Sequence, residues 1–217
     1  MRINADFAKK ALVVPKESDW VCSPESGVDR LMLDRIGDEV ARATSLVRYA
    51  ADSSFARHEH GAGEEFLVLD GVFSDEHADY GVGTYVRNPP GSGHSPYSKD
   101  GCRILVKLRQ FDPQDLTHVV VDTADNSLWG EGPGRNILEL HEFARERVMM
   151  IRLDEGNRLP IDSSPGGMEI LLISGSVNDA GTELAAESWL RMPADQMNSL
   201  IASSDCLLWV KTGHLPS

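Results

Sequence analysis

The sequence predicts an all-β chain built from two successive barrels of one fold, and three observations carry that reading. The second half repeats the first at a fixed offset. Both halves consist of short apolar runs separated by turn residues. A His and Glu constellation with metal-ligand spacing stands in the first half and is missing from the second.

Sliding the 217-residue chain by 104 positions lays Gly63, Glu65, Leu67 and Gly71 over Gly167, Glu169, Leu171 and Gly175. Asp75 falls on Asp179, and Arg87, Pro89 and Ser95 fall on Arg191, Pro193 and Ser199. Cys102, Val106 and Lys107 fall on Cys206, Val210 and Lys211. These are 11 identities in the 50 positions from 58 to 107, where average residue frequencies would give roughly 3. A repeat of this length marks two domains of one fold. The boundary is expected within residues 111–126, where turn residues cluster, which sets the domains at residues 1–112 and 113–217. Residues 117–122, THVVVD, read as a strand that pairs with the first barrel or packs across both.

Each half is β-rich. ATSLVRYA, EEFLVLDGVF, YGVGTYVRNPP and CRILVKLRQF are short runs bounded by Gly, Pro, Asp and Ser, the pattern of a barrel or sandwich. In RILVKLRQ, Ile104, Val106 and Leu108 alternate with Arg103, Lys107 and Arg109, so one face is core. The one helix expected lies over residues 26–40, with imperfect apolar spacing and Gly37 against it. Cys102 and Cys206 hold equivalent positions and read as small core residues, and three cysteines without C-x-x-C spacing exclude a zinc ribbon. Redox sensing through Cys22 is a minor alternative.

The chain carries 34 acidic and 21 basic residues, a net charge of −13. Such a surface repels phosphate backbones, so no nucleic-acid partner is expected. No apolar stretch is long enough to span a bilayer, and the first residues lack a secretory pattern. A cytoplasmic protein with no membrane partner is the expectation. A small-molecule ligand and a homodimer are both compatible with the sequence.

The chemistry sits in HEHGAGEEFLVLDG, residues 58–71. His58 and His60 are two apart, which on a strand puts both imidazoles on one face. After the Gly61-Ala62-Gly63 turn, Glu64 can return a carboxylate to that face, followed by Phe66 and Val68 as apolar lining. In GTYVRNPPGSGH, residues 83–94, Pro89, Pro90, Gly91 and Gly93 force a tight turn that delivers His94 as a fourth ligand. Imidazoles with a carboxylate suit zinc, iron, nickel, copper or manganese. Glu65 falls on the opposite face and reads as a structural polar contact. A ligand cavity beside the metal is expected to be lined by Leu46, Phe66, Val68, Tyr85 and Tyr97.

These two segments resemble the paired signature motifs of the cupin superfamily. His58, His60, Glu64 and Gly71 fit the first, G-x5-H-x-H-x3-E-x6-G, with Asp52 in its leading Gly position. Gly83, Pro89, Gly91 and His94 fit the second, G-x5-P-x-G-x2-H-x3-N, with Ser98 in place of its Asn. The wording is most similar to ChrR-like cupins, the cupin domain of ChrR-type anti-sigma factors, and is also similar to acetylacetone dioxygenase-like cupins. The resemblance implies a bicupin of double-stranded β-helix barrels holding one divalent transition metal, zinc or iron first, with nickel or manganese as alternatives. It implies a metal-binding regulatory or small-molecule-sensing module. The alternative is an iron(II) dioxygenase cleaving a small diketone or hydroxylated ketone. ChrR-type factors also carry an N-terminal helical zinc domain, and no His and Cys cluster of that kind precedes Trp20, so sigma-factor binding is not expected.

In the second half, His58, His60, Glu64 and His94 are replaced by Asp162, Ser164, Met168 and Asn198. That set does not hold a metal, and Met168, Ile170 and Leu172 are expected to pack the interior of a barrel that has become scaffold.

Overall fold

A computed structural model of the chain describes residues 1–161, 165–194 and 196–216, and its regular secondary structure is almost wholly strand. Among the described residues the only helical elements are single 3-10 turns at Glu17–Asp19 and Asn126–Leu128. None is long and apolar enough to cross a membrane.

The chain divides into two compact units, Met1–Ala5 with Lys16–Ala124, and Asp6–Pro15 with Asp125–Ser217. By contact, residues 113–124 group with the first unit and residues 6–15 with the second. Edge-strand pairing explains both groupings. Val119–Asp122 pairs antiparallel with Thr84–Asn88 in the first unit. Ala11–Val13 pairs in the same way with Trp189–Met192 in the second. An uncovered edge leaves a row of unpaired backbone donors and acceptors, and each unit closes that edge with a strand that precedes the other repeat.

The main sheets repeat one strand order. In the first unit Arg42–Tyr49, Cys102–Leu108, Glu64–Gly71 and Thr84–Asn88 lie side by side. In the second, Glu146–Leu153, Cys206–Thr212, Met168–Ser174 and Trp189–Met192 do the same. Gly71 and Gly175 end equivalent strands with φ of 70° and 80°. A Cβ on either would sit 2.1–2.2 Å from a backbone carbonyl, of Gly101 or Asp205. Only glycine fits such a turn.

The helix expected over residues 26–40 is instead the strand Val28–Ile36, paired with Arg42–Tyr49. The register shifts between Met32 and Asp34, so Leu33 is an extra, bulged residue. The bulge breaks the period of two and leaves Val28, Leu31, Met32 and Ile36 at spacings that imitate a helix face.

Period two sorts Glu64–Gly71 into two chemistries. Phe66 and Val68 join an interior cluster with Tyr49, Phe73, Tyr80, Ile104 and Val106. Glu65, on the other face, accepts hydrogen bonds from Tyr85 Oη at 2.5 Å and Arg87 Nη1 at 3.0 Å. Arg87 also reaches Asp115 Oδ2 at 2.7 Å and stacks 3.9 Å over the Phe111 ring. The second unit repeats the device: Glu169 accepts from Trp189 Nε1 at 2.8 Å, and Arg191 stacks 4.5 Å from the Phe7 ring. Removing the guanidinium while its buried carboxylates stay charged is costly. Arg87→Met is therefore expected to lower stability by about 3–5 kcal/mol in urea melts. A loss below about 1 kcal/mol would mean that the network behaves like a surface pair.

Candidate metal centre

Two short segments are pressed together at one end of the first unit. His58–Glu59 pairs antiparallel with Gly93–His94, setting His94 opposite His58. Gly93 makes this approach possible, because a Cβ there would lie 2.6 Å from the His58 carbonyl oxygen. His60 N–H donates to the Ser92 carbonyl at 2.8 Å, and Gly91 N–H donates to the His60 carbonyl at 3.0 Å. Asp52, in the place of the first motif's leading Gly, adopts φ 57°, a left-handed turn that Asp tolerates better than most residues.

These ties bring His58, His60, Glu64 and His94 together, with one ligand atom from each within 4.8 Å of all the others. The ring centroids are 4.7–5.1 Å apart. Glu64 Oε1 is 3.4 Å from Nε2 of both His60 and His94. His60, Glu64 and His94 are buried, while His58 is half-buried.

Each imidazole is oriented through Nδ1. His58 Nδ1 lies 3.0 Å from the Ala56 carbonyl oxygen. His94 Nδ1 lies 3.0 Å from Asp75 Oδ2. Both partners are acceptors, so Nδ1 carries the proton. His60 Nδ1 is 3.0 Å from Ser92 Oγ, whose own proton goes to the Pro89 carbonyl at 2.6 Å. That serine can only accept. All three Nε2 lone pairs are therefore free, the tautomer that metal-binding histidine requires, and those of His60 and His94 face Glu64. Nε2 of His60 and of His94 are buried without a hydrogen-bond partner.

Burial holds His60 down to about 3, helped by the neighbouring His94 and His58. Burial also lowers His94, against the Asp75 hydrogen bond that raises it. Both are neutral lone-pair donors. Burial pushes the Glu64 carboxyl up to about 7, opposed by a hydrogen bond from Asn88. A dry carboxylate beside orphaned imidazole nitrogens is the donor set a divalent cation satisfies. Asp75 and Ser92 were not singled out by motif spacing. The one sequence signal for Asp75 is its identity with Asp179 in the repeat.

A cavity of about 310 Å³ opens onto this cluster, with all four candidate ligands in its wall. Its apolar lining includes Val28, Val47, Tyr49, Phe55, Phe73 and Ile104. The lining expected from alternation is corrected here. Ser45, Val47 and Tyr49 face the cavity, so Leu46 faces away, a register error of one residue. Tyr85 is spent on Glu65 on the buried sheet face turned away from the cavity, and Tyr97 is 42% exposed. Phe66 and Val68 lie in the interior cluster without reaching the cavity wall. Cys22 is exposed, and its hydrogen bond with Asp29 raises the thiol, against a reactive thiolate.

In the second unit, Asp162 and Ser164 lie outside the described residues. Met168 and Ile170 sit in an apolar cluster with Leu172, Leu190, Leu208 and Val210. Asn198 hydrogen-bonds the Leu159 and Ile161 carbonyls, fixing a loop.

Two tandem barrels of this strand order, one with a His and Glu cluster at its mouth, make the chain a bicupin. It belongs to the ChrR cupin-like domain family, which matches residues 8–112 and again residues 116–216. No curated protein matches the sequence. Among solved structures, the fold is similar to the bacterial pirin YhhW in complex with nickel(II) from Escherichia coli, at 15% identity and TM-score 0.69. That match covers 96% of this chain and 98% of the pirin. It is also similar to a variant of salicylate 1,2-dioxygenase from Pseudoaminobacter salicylatoxidans, at 12% identity and TM-score 0.62, covering 78% of this chain and 70% of that one. A cupin 2 conserved barrel protein from Leptotrichia buccalis aligns over 88% of this chain and 91% of its own, at 11% identity and TM-score 0.59.

Two substitutions test the geometry. Glu64→Gln should weaken zinc binding far more than Glu65→Gln when both are titrated by calorimetry, and equal effects would show the register to be wrong. Asp75→Asn leaves every ligand in place but weakens the acceptor that orients His94. Zinc affinity is expected to fall about 10–100-fold, and an unchanged affinity would leave Asp75 no orienting role.

Proposed function

We propose that the first barrel binds one divalent transition metal through His58, His60, Glu64 and His94, and that the chain works as a metal-dependent regulatory or small-molecule-sensing module. The observation that carries this reading is the pair of buried, partnerless Nε2 atoms on His60 and His94. Each unmet buried group costs about 1–3 kcal/mol, and a bound cation removes that cost at both. Zinc and iron are the first candidates, with nickel and manganese next. The second barrel serves as scaffold, since Met168 stands where Glu64 would be needed.

One observation favours a second reading, an iron(II) dioxygenase acting on a small diketone or hydroxylated ketone. The cavity of about 310 Å³ adjoins the candidate ligands and has room for a small substrate. In that role iron would supply redox chemistry, and the apolar wall would exclude water from the substrate.

Metal-stripped protein is expected to take up one equivalent of zinc or iron(II) in calorimetry. Its thermal midpoint should rise with metal concentration, by the equivalent of about 2.7 kcal/mol at a hundred times Kd. An absence of binding at micromolar metal would end both readings. Oxygen uptake by the iron-loaded protein with acetylacetone would select the dioxygenase, and no uptake would retain the module.

A further inference from the structure

Three arginines face the cavity, and among the described residues none forms an ion pair. Arg30 lies on the Val28–Ile36 strand opposite Val47, another cavity residue. Its guanidinium makes no hydrogen bond and rests 6.0 Å from the Phe55 ring, which in turn meets the His58 ring edge-on at 5.3 Å. One aromatic ring thus separates Arg30 from a candidate ligand. Arg35 is buried and bonded only to the Asp38 carbonyl oxygen. The Leu33 bulge brings it to the cavity side, where Asp34 would otherwise point. Arg109 holds a left-handed backbone, φ 59°, with Nη1 only 3.1 Å from where a Cβ on Gly61 would sit. Glu39 and Glu59 also reach the wall, both exposed, and neither pairs with these arginines.

Other arginines of the first unit are neutralised: Arg48 by Glu17 and Asp29, Arg57 by Glu76, Arg42 by Asp34. In a chain with 13 more acidic than basic residues, three unpaired guanidinium groups around one small cavity call for an anion. Guanidinium is suited to carboxylates, which it meets with two parallel hydrogen bonds. Beside the candidate ligands, Ser45 and the two exposed glutamates, the rest of the wall is mainly apolar.

We propose that this cavity binds a small organic anion, a carboxylate on a short aliphatic or single-ring body. The charged group meets Arg30, with Arg35 and Arg109 at the approach, and the body packs on Val47, Phe55 and Ile104. The inference deepens the metal-dependent reading and rests on it only for the end of the ligand that faces the metal.

Calorimetry on zinc-loaded protein with benzoate and hexanoate, against benzamide, hexanamide and inorganic phosphate, tests it. The acids should bind at least about tenfold more tightly than their amides. Arg30→Gln should lose about that factor while keeping its zinc and its circular dichroism, and Arg30→Lys should recover part of it. Should Arg30→Gln fail to fold, the exposed Arg109→Gln carries the test, with a smaller loss for the acids and none for the amides. Equal affinity for acid and amide, or benzoate binding unchanged in folded arginine variants, overturns the proposal. Phosphate binding as tightly as benzoate overturns the apolar-body part. The same titrations on zinc-free protein separate the two readings. Arginine-dependent benzoate binding in a chain that takes no zinc defeats the metal reading alone. Zinc binding without carboxylate preference defeats this inference alone.

Discussion

The candidate centre depends on three imidazole protons that are each committed to a fixed acceptor. His58 gives its Nδ1 proton to the Ala56 carbonyl, His60 to Ser92 and His94 to Asp75. A ring held in this way has one remaining lone pair and one direction for it. The acceptors come from separate pieces of chain: the approach to the first ligand strand, the Pro-rich turn, and the strand end beyond Phe73–Ser74. Asp75 is itself held by the N–H groups of His77 and Ala78 at 2.8 and 3.1 Å. The ligand array is thus a product of the folded first unit, and the hairpin of residues 58–64 alone would not orient it.

The second barrel shows how little backbone change separates a candidate site from a plain core. Strand order and terminal glycines agree between the units, and the identities that survive the repeat lie mainly on the outer face and in the turns. Glu65 and Glu169, Arg87 and Arg191, and Lys107 and Lys211 are all buried on that face. The interior positions diverge. Where one barrel places Glu64 among imidazoles, the other places Met168 among leucines. A buried carboxylate without partners would be costly in that apolar setting, so loss of the histidines and of the glutamate belong together.

What the sequence makes legible is what depends on short range. A two-residue step on a strand and a Pro-Gly turn are local rules, so the gathering of His58, His60, Glu64 and His94 can be read before any coordinates. The turn of Glu65 to the opposite face follows from the same period. The repeat adds the domain count. Longer-range effects stay hidden. The Leu33 bulge disguises a strand as a helix, and an off-by-one register on Arg42–Tyr49 exchanges Leu46 for Val47 in the cavity wall. Each unit borrows an edge strand from beyond the expected boundary, a pairing that no local pattern encodes. Asp75 needs a contact 19 residues away to reveal what it orients.

The bulge that hides the strand also changes the character of the cavity. An unbroken period would turn Asp34 inward and Arg35 outward, placing a carboxylate in the cavity wall and opposing any anionic ligand. With Leu33 inserted, Asp34 is instead paired with Arg42 and the cavity wall gains a cation. The acidic surface and the arginine-bearing stretch of the cavity wall then differ in sign. A net charge of −13 raises the cost of approach for extended polyanions. Arg30, Arg35 and Arg109 act over the few ångströms that a small ion must travel at the end, where surface charge is already screened by salt. Selection by size and selection by charge thus come from one arrangement, to which a single inserted residue adds one of three cations.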